Sequence, residues 1–171
     1  MSAETHPDKH WILAIDPGVT SGLCHGKLDT KAGKLSLRVD QQRLTVGGVY
    51  DLILSEIPDK FEGNFHLIYE DFQYRNVARA GLELFPVKVI GVIELSYERF
   101  VVDGLDHVHF YKQSAATGKG FYRDDKLKKL GVYAVGKDHG RDATRHLLQW
   151  LSFGAGSQYA DIEKLEVTQD G

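Results

Sequence analysis

The chain has 171 residues, enough for one domain with a sizeable core, and its 42% hydrophobic and 26% charged residues are ordinary for a globular protein. Its single cysteine, Cys24, excludes an internal disulfide framework and favours a reducing compartment. No apolar stretch reaches about 18 residues, and the polar N-terminal residues lack a secretory signal, so we expect a cytoplasmic protein without membrane segments.

The first half of the chain predicts three strands followed by a helix. The first strand is a nearly continuous apolar run, typical of a buried central strand, and it ends at Asp16. Gly18 and Gly22 bracket a turn, after which the chain is expected to return antiparallel. The predicted strands and helix lie, in this order, at residues 10–16, 23–28, 34–45 and 49–57.

The second half predicts two further strands separated by helices. An apolar strand ends at Glu70, and the helix after it carries Pro86 in its first turn. A loop with Gly118 and Gly120 is expected after the last strand, and a frayed tail after Gly154. The predicted strands lie at residues 65–70 and 107–111, and the predicted helices at residues 82–102, 124–130 and 139–153.

This order of elements predicts an α/β fold with a mixed sheet, in which the first three strands are antiparallel and the later ones parallel. We expect a single domain over residues 1–171, with its core at about residues 11–153 and flexible tails at residues 1–9 and 154–171. Ligand sites in open α/β sheets lie beyond the carboxyl ends of the strands, which directs attention to the acids there.

Three acidic positions are predicted to meet at that edge of the sheet. Asp16 and Glu70 end two strands joined through a crossover, which makes their carboxyl ends neighbours. His139 and Asp142 begin the last helix three residues apart and share one of its faces, and Asp138 joins them if the helix starts early enough. Taken singly, each acid fits a structural role, as a turn former or a helix cap, better than a catalytic one, and only their joint placement favours chemistry.

Carboxylates that converge repel one another unless a cation joins them. Oxygen ligands of this kind suit Mg²⁺ or Mn²⁺, and two such ions about 4 Å apart activate water for attack on a phosphodiester. The net charge of −3 argues against a general nucleic-acid binder, but residues 112–145 hold nine basic residues against four acidic ones. That stretch fits either a solvated helix face or a DNA contact.

Four segments, IDPGVTSG, IYEDF, YKQSAATGKG and KDHGRDATRHLL, resemble in order and spacing the RuvC-like Holliday junction resolvases, especially those of bacteriophages. The likeness spans about residues 11–153. It implies a ribonuclease H-like fold, with a five-stranded mixed sheet flanked by helices, and a structure-selective endonuclease that cuts four-way DNA junctions. It also implies 5′-phosphate and 3′-hydroxyl products, a homodimer and, for a phage protein, the host cytoplasm. The apolar helix at residues 82–102 is the candidate dimer interface, because it is too hydrophobic for an outer face.

The same resemblance implies a ligand set for two Mg²⁺ or Mn²⁺ ions per active site. Asp16 is implied to bridge both ions. The other implied ligands are Glu70, with Asp71 as its alternative, His139, with Asp138 as its alternative, and Asp142.

DNA contacts follow from the same comparison. Lys112 is implied to support the scissile phosphate. The resemblance leaves the other contacts open: a second basic residue among Lys119, Arg123 and Lys126, and a base-stacking aromatic at Phe72 or Tyr74.

Three other functions fit parts of the sequence. A nuclease of the same fold could act on flaps, RNA–DNA hybrids or other branched DNA. An actin-like ATP-binding module also carries Asp-x-Gly-x-Thr, as in DPGVT, but needs two lobes, for which this chain is too short. A non-catalytic DNA-binding relative is disfavoured, because acids at every catalytic position would repel phosphate in the absence of metal.

Overall fold

The computed structural model describes residues 8–58, 62–72 and 84–170, apart from the side chains of residues 118 and 119. Its helices are α1 (Val46–Glu56), α2 (Phe85–Val102), α3 (Ala115–Phe121), α4 (Asp124–Lys129) and α5 (Asp138–Phe153). Its strands are β1 (Lys9–Asp16), β2 (Ser21–Asp29), β3 (Lys34–Gln42), β4 (Asn64–Asp71), β5 (Val108–Ser114) and β6 (Glu166–Asp170).

All six strands form one mixed sheet in the order β5-β4-β1-β2-β3-β6. The first three strands are antiparallel neighbours, as predicted, because short turns join them. β4 runs parallel to β1, and β5 runs parallel to β4, each after a helical crossover. The carboxyl ends of β1, β4 and β5 therefore lie at the same edge of the sheet.

The predicted number of five strands is wrong, because the segment after Gly154 is not a frayed tail. Two short 3-10 turns, Ala155–Gln158 and Ile162–Lys164, lead into β6, which pairs in parallel with β3. β6 is half-exposed and reads EVTQD, so its own apolar signal is weak. The unpaired edge of β3 supplies the hydrogen bonds that make this segment a strand.

Other element boundaries also differ from the prediction. The expected glycine loop after the last strand is the short helix α3. β3 ends at Gln42 rather than at residue 45, because the hydroxyl of Thr45 accepts a hydrogen bond from the amide of Gly48 and caps α1. Pro86 does lie in the first turn of α2, as predicted. None of the described helices is long and apolar enough to cross a membrane.

Each face of the sheet has its own core, because strand residues alternate between faces. Ile12, Ala14 and Ile68 pack on the face covered by α5, together with Leu147 and Trp150. We call this the α5 face. The core of the opposite face, the α1/α2 face, contains Leu13, Ile15, Leu67, Tyr69, Val49 and Ile93. Even-numbered residues of β1 and β4 therefore face α5, and odd-numbered ones face α1 and α2.

Two glycines bring the start of α5 close to the sheet. A Cβ on Gly22, which pairs with Asp16 across β1 and β2, would lie 1.9 Å from the backbone oxygen of His139. A Cβ on Gly140 would lie 2.7 Å from the backbone oxygen of Asp40. The sequence indicates a turn at Gly22, but the residue lies inside β2, where the missing side chain makes room for α5.

Candidate active site

Asp16 is the last residue of β1 and lies buried on the α5 face. Its Oδ2 lies 3.1 Å from Nδ1 of His139, which the close packing of α5 on Gly22 brings within reach. Burial and the negative charges of Glu70 and Asp142 raise the pKa of the Asp16 carboxyl to about 6, and the hydrogen bond with His139 opposes that shift. The three predicted acids are therefore near enough to repel one another.

Glu70 lies on the neighbouring strand, one position beyond the pair Ile15 and Tyr69, and shares the α5 face with Asp16. Its Oε2 accepts a hydrogen bond from Nε2 of His146, at 2.8 Å. His146 is fully buried, and its Nδ1 lies 2.8 Å from Oε1 of Gln113 on β5. The second acid is thus held by a buried network from α5 and β5.

Asp142 lies one turn along α5 from His139 and forms an ion pair with Arg145. The same guanidinium pairs with Asp124 of α4 and donates from Nε to the backbone oxygen of Tyr122, at 2.8 Å. Arg145 is nearly buried, with 13% of its side chain exposed, so it ties Asp142 to the segment that carries α4.

The two alternatives left open at the start of α5 have different surroundings. The side chain of Asp138 is 82% exposed and pairs with Arg141, whereas the ring of His139 lies against Asp16. Asp138 is not the helix cap considered from the sequence, because the residue at that position is Lys137. The structure therefore brings His139, and not Asp138, into contact with Asp16.

The donor set of three carboxylates and an imidazole is chemically suited to Mg²⁺ or Mn²⁺. The raised pKa of Asp16 shows that burial, together with two nearby carboxylates, makes its negative charge costly, and a cation would offset that cost. Within the described ranges, no three His, Cys, Asp or Glu side chains are close enough to hold an ion as they stand. The reason is visible in the contacts, since each acid has a different basic or imidazole partner. Binding an ion here requires some of these contacts to be exchanged.

Lys112 lies on the opposite face of the sheet from Asp16 and Glu70. It follows Tyr111, which packs towards α5, and so shares the α1/α2 face with Phe110. Its Nζ lies 2.6 Å from Oε1 of Glu94 on α2 and 3.8 Å from Oδ1 of Asp71. Asp71, the alternative to Glu70, therefore points away from Asp16 as well.

The structure describes the side chains of three of the other five predicted DNA contacts, Phe72, Arg123 and Lys126. Phe72 packs against the core of the α1/α2 face, Tyr74 lies outside the described residues, and Lys119 lies in α3 with an undescribed side chain. Arg123 is an exposed residue before α4, and the ammonium of Lys126 lies over the ring of Phe121.

Sequence reasoning missed two side chains that contact the acids, Arg145 and His146, and also Gln113, which contacts His146. A signal for His146 was present, because residues 139, 142 and 146 follow the spacing of one helix face. Gln113 had no such signal, since only the register of β5 beside β4 places it opposite Glu70.

No family model matches the chain, and no curated protein sequence matches it significantly. Among solved structures, Thermus thermophilus RuvC shares 18% identity and a TM-score of 0.56, covering 88% of this chain and 98% of that one. T. thermophilus RuvC in complex with a Holliday junction substrate gives a TM-score of 0.57 at 18% identity, covering 89% and 98%.

The yeast mitochondrial Holliday junction resolvase Ydc2 matches with a TM-score of 0.53 at 11% identity, covering 92% of this chain and 83% of that one. At such low identity the likeness concerns the fold. It agrees with the strand order and with the crossovers that bring Asp16 and Glu70 to one edge of the sheet. The chain has the ribonuclease H-like fold of the RuvC-type resolvases.

Proposed function

We propose that this chain is a divalent-metal-dependent, structure-selective DNA endonuclease that resolves four-way junctions. The observation that carries the proposal is the approach of Asp16, Glu70 and Asp142 at one edge of the sheet, where burial and the charges of Glu70 and Asp142 raise the pKa of Asp16. The fold supports the substrate class, since one of the matching RuvC structures is a complex with a Holliday junction substrate. The positive balance of residues 112–145 supports DNA as partner.

Asp16, Glu70, His139 and Asp142 would hold two Mg²⁺ or Mn²⁺ ions. When bound, such ions supply an activated water and stabilise the departing oxygen of a phosphodiester. Asp16 is the central ligand, because both other acids act on its charge. His139 presents a ring nitrogen at this edge, and the contact of Asp142 with Arg145 is the one that a cation would replace.

Lys112 remains our candidate for the contact with the scissile phosphate. It lies near the carboxyl end of β5, with 44% of its side chain exposed, and its ammonium would have to leave Glu94 to reach DNA. Lys119, Arg123 and Lys126 stay candidates for backbone contacts, which position DNA without reading its sequence.

A junction presents two strands to cut, so the proposed form is a homodimer. The exposed side of α2 fits its interface, since several large apolar side chains there face solvent: Leu95, Tyr97, Val101 and Val102. Sedimentation of the wild type beside Leu95→Glu tests this point, and a monomeric wild type would contradict it.

Cleavage of matched synthetic DNAs tests the activity: a four-way junction, a flap and an RNA–DNA hybrid with common arm sequences. We expect paired nicks in the junction with Mg²⁺ or Mn²⁺ and none with EDTA. DNA ligase should seal the nicks, because it joins a 5′-phosphate to a 3′-hydroxyl. Faster cutting of the flap or hybrid would assign the chain to another nuclease of this fold, and undiminished cutting by Asp142→Asn would refute the site.

A further inference from the structure

One face of α5 carries a third functional side chain beyond His139 and Asp142. His146 follows Asp142 by four residues and reaches the site from deeper in the core, with no exposed surface. Both of its ring nitrogens have partners on the sheet: Nε2 contacts Oε2 of Glu70, and Nδ1 contacts Oε1 of Gln113, each at 2.8 Å. Gln113 in turn donates from Nε2 to the backbone oxygen of His146, at 3.3 Å.

This network restricts the Glu70 carboxylate. A carboxylate oxygen only accepts, so the imidazole N–H is the donor in the bond to Oε2. The amide oxygen of Gln113 also only accepts, so Nδ1 donates to it, and both bonds form together when both ring nitrogens carry a proton. The Gln113 amide is itself held by the helix backbone, so the ring has little freedom to turn. The backbone of Glu70 is fixed in β4, and its Oε2 is held by a donor that is itself fixed, so this network limits how the carboxylate can turn.

We infer that His146 is the positioning residue for Glu70: it orients this carboxylate for the cation and does not itself touch the ion or the DNA. The inference rests on the proposed function. Hydrogen bonds to the ligands of a metal ion set their orientation, and their loss typically lowers metal affinity by about 10–100-fold. Arg145 does not share this role, because its partner is Asp142.

Two substitutions of His146 test the contacts of its two ring nitrogens separately. The side-chain amide of His146→Gln can place its nitrogen near the position of Nε2 and still donate to Glu70. The shorter amide of His146→Asn reaches only the neighbourhood of Nδ1 and Gln113, and it leaves Glu70 without its donor. A residue needed only for packing would not distinguish the two variants in metal affinity.

The readout is Mn²⁺ binding by calorimetry without DNA, with thermal unfolding in EDTA as the control for folding. We expect His146→Asn to raise the Kd for Mn²⁺ by about 10–100-fold and His146→Gln to stay within about threefold of the wild type. Junction affinity in EDTA should be unchanged in both, because neither variant alters a surface that contacts DNA.

Equal Mn²⁺ affinity of the Asn and Gln variants, whether both weak or both normal, would overturn the inference while the proposed function stands. If His146→Asn does not fold, Gln113→Leu replaces it, since that change frees the ring to turn. Unchanged Mn²⁺ affinity of Gln113→Leu would then overturn the inference. Absence of Mn²⁺ binding by the wild type, or equal binding by Asp16→Asn, would instead overturn the proposed function and leave His146 and Glu70 as a structural pair.

Discussion

The two ends of the α5 face both contain clustered ionisable side chains, but they differ in access to solvent. At the carboxyl ends of β1 and β4, Asp16 and Glu70 lie at an open edge, and 16% of the Glu70 side chain is exposed. At the opposite end, Nδ1 of His10 lies 2.9 Å from Nε2 of His66, and the two residues are 1% and 0% exposed. Rings of Tyr159 and Trp150 cover them.

Burial favours the neutral form at both ends. It raises the pKa of Asp16 to about 6, and it lowers the pKa of His66 to about 2, where the positive charges of His10 and His109 add to the effect. At the sealed end the neutral form is a stable end state. At the open end a cation that reached Asp16 would offset the cost of its buried negative charge, so accessibility separates the candidate site from the polar core.

The largest expected effect is on junction cleavage, and it should distinguish Glu70 from Asp71, the two acids at the end of β4. Glu70→Gln should lower junction cleavage by about 100-fold or more, because losing a ligand costs at least as much as losing its supporting hydrogen bond. Asp71→Asn is the matched control: Asp71 lies on the α1/α2 face beside Lys112, so cleavage should stay within about threefold. Single-turnover rates measure both, and an equal loss in the two variants would contradict the assignment of faces.

Asp16→Asn should stabilise the metal-free protein while abolishing cleavage. The folded-state pKa of about 6 exceeds the ordinary value of 3.8, so the native state binds more protons, and stability falls as pH rises between these values. Above pH 6 the full cost of burying the Asp16 charge applies. Removing that charge should raise the free energy of unfolding by about 2 kcal/mol, after the weakened bond to His139 is allowed for. Urea unfolding in EDTA at pH 7.5 and 4.0 measures it, and a gain that persists at pH 4.0 would exclude this cause.

Gly22→Ala should displace the start of α5 and weaken the link between His139 and Asp16. The added Cβ meets backbone atoms, which cannot move aside as a side chain does, so we expect a loss of about 2 kcal/mol and reduced cleavage. Gly47→Ala in α1 is the control, because its Cβ would meet nothing within 4 Å. Chemical unfolding and cleavage rates measure both variants, and a Gly22→Ala protein like the wild type would show that α5 need not pack so closely.

Changes at the sealed end, around His10 and His66, should have the smallest effect on cleavage and should instead alter how stability depends on pH. His66 stays neutral in the fold while the unfolded chain binds a proton below pH 6.5, so stability falls as pH decreases, by up to about 1.4 kcal/mol per unit. His66→Phe removes this proton and should flatten the slope between pH 6.5 and 4.5, even if it lowers stability at pH 7.5. An unchanged slope in urea unfolding would mean that the pair does not remain neutral.

Local sequence patterns predicted much of the fold. Apolar runs marked β1 and β4, and helical spacing marked α5, because these elements bury continuous faces. β6 was not predicted, because a short polar segment becomes a strand only when the edge of β3 is available. α3 was predicted as a loop, because its glycines, Gly118 and Gly120, are typical of loops.

At the candidate site, the sequence by itself determined which acids end strands and which residues share a helix face. Only the tertiary structure decided that Glu70 faces Asp16 while Asp71 and Lys112 face α2, and that His146 and Arg145 are the partners of the acids. The physical reason is that a strand alternates its side chains between two faces, whereas the contacts on each face depend on register and helix packing between segments far apart in the chain.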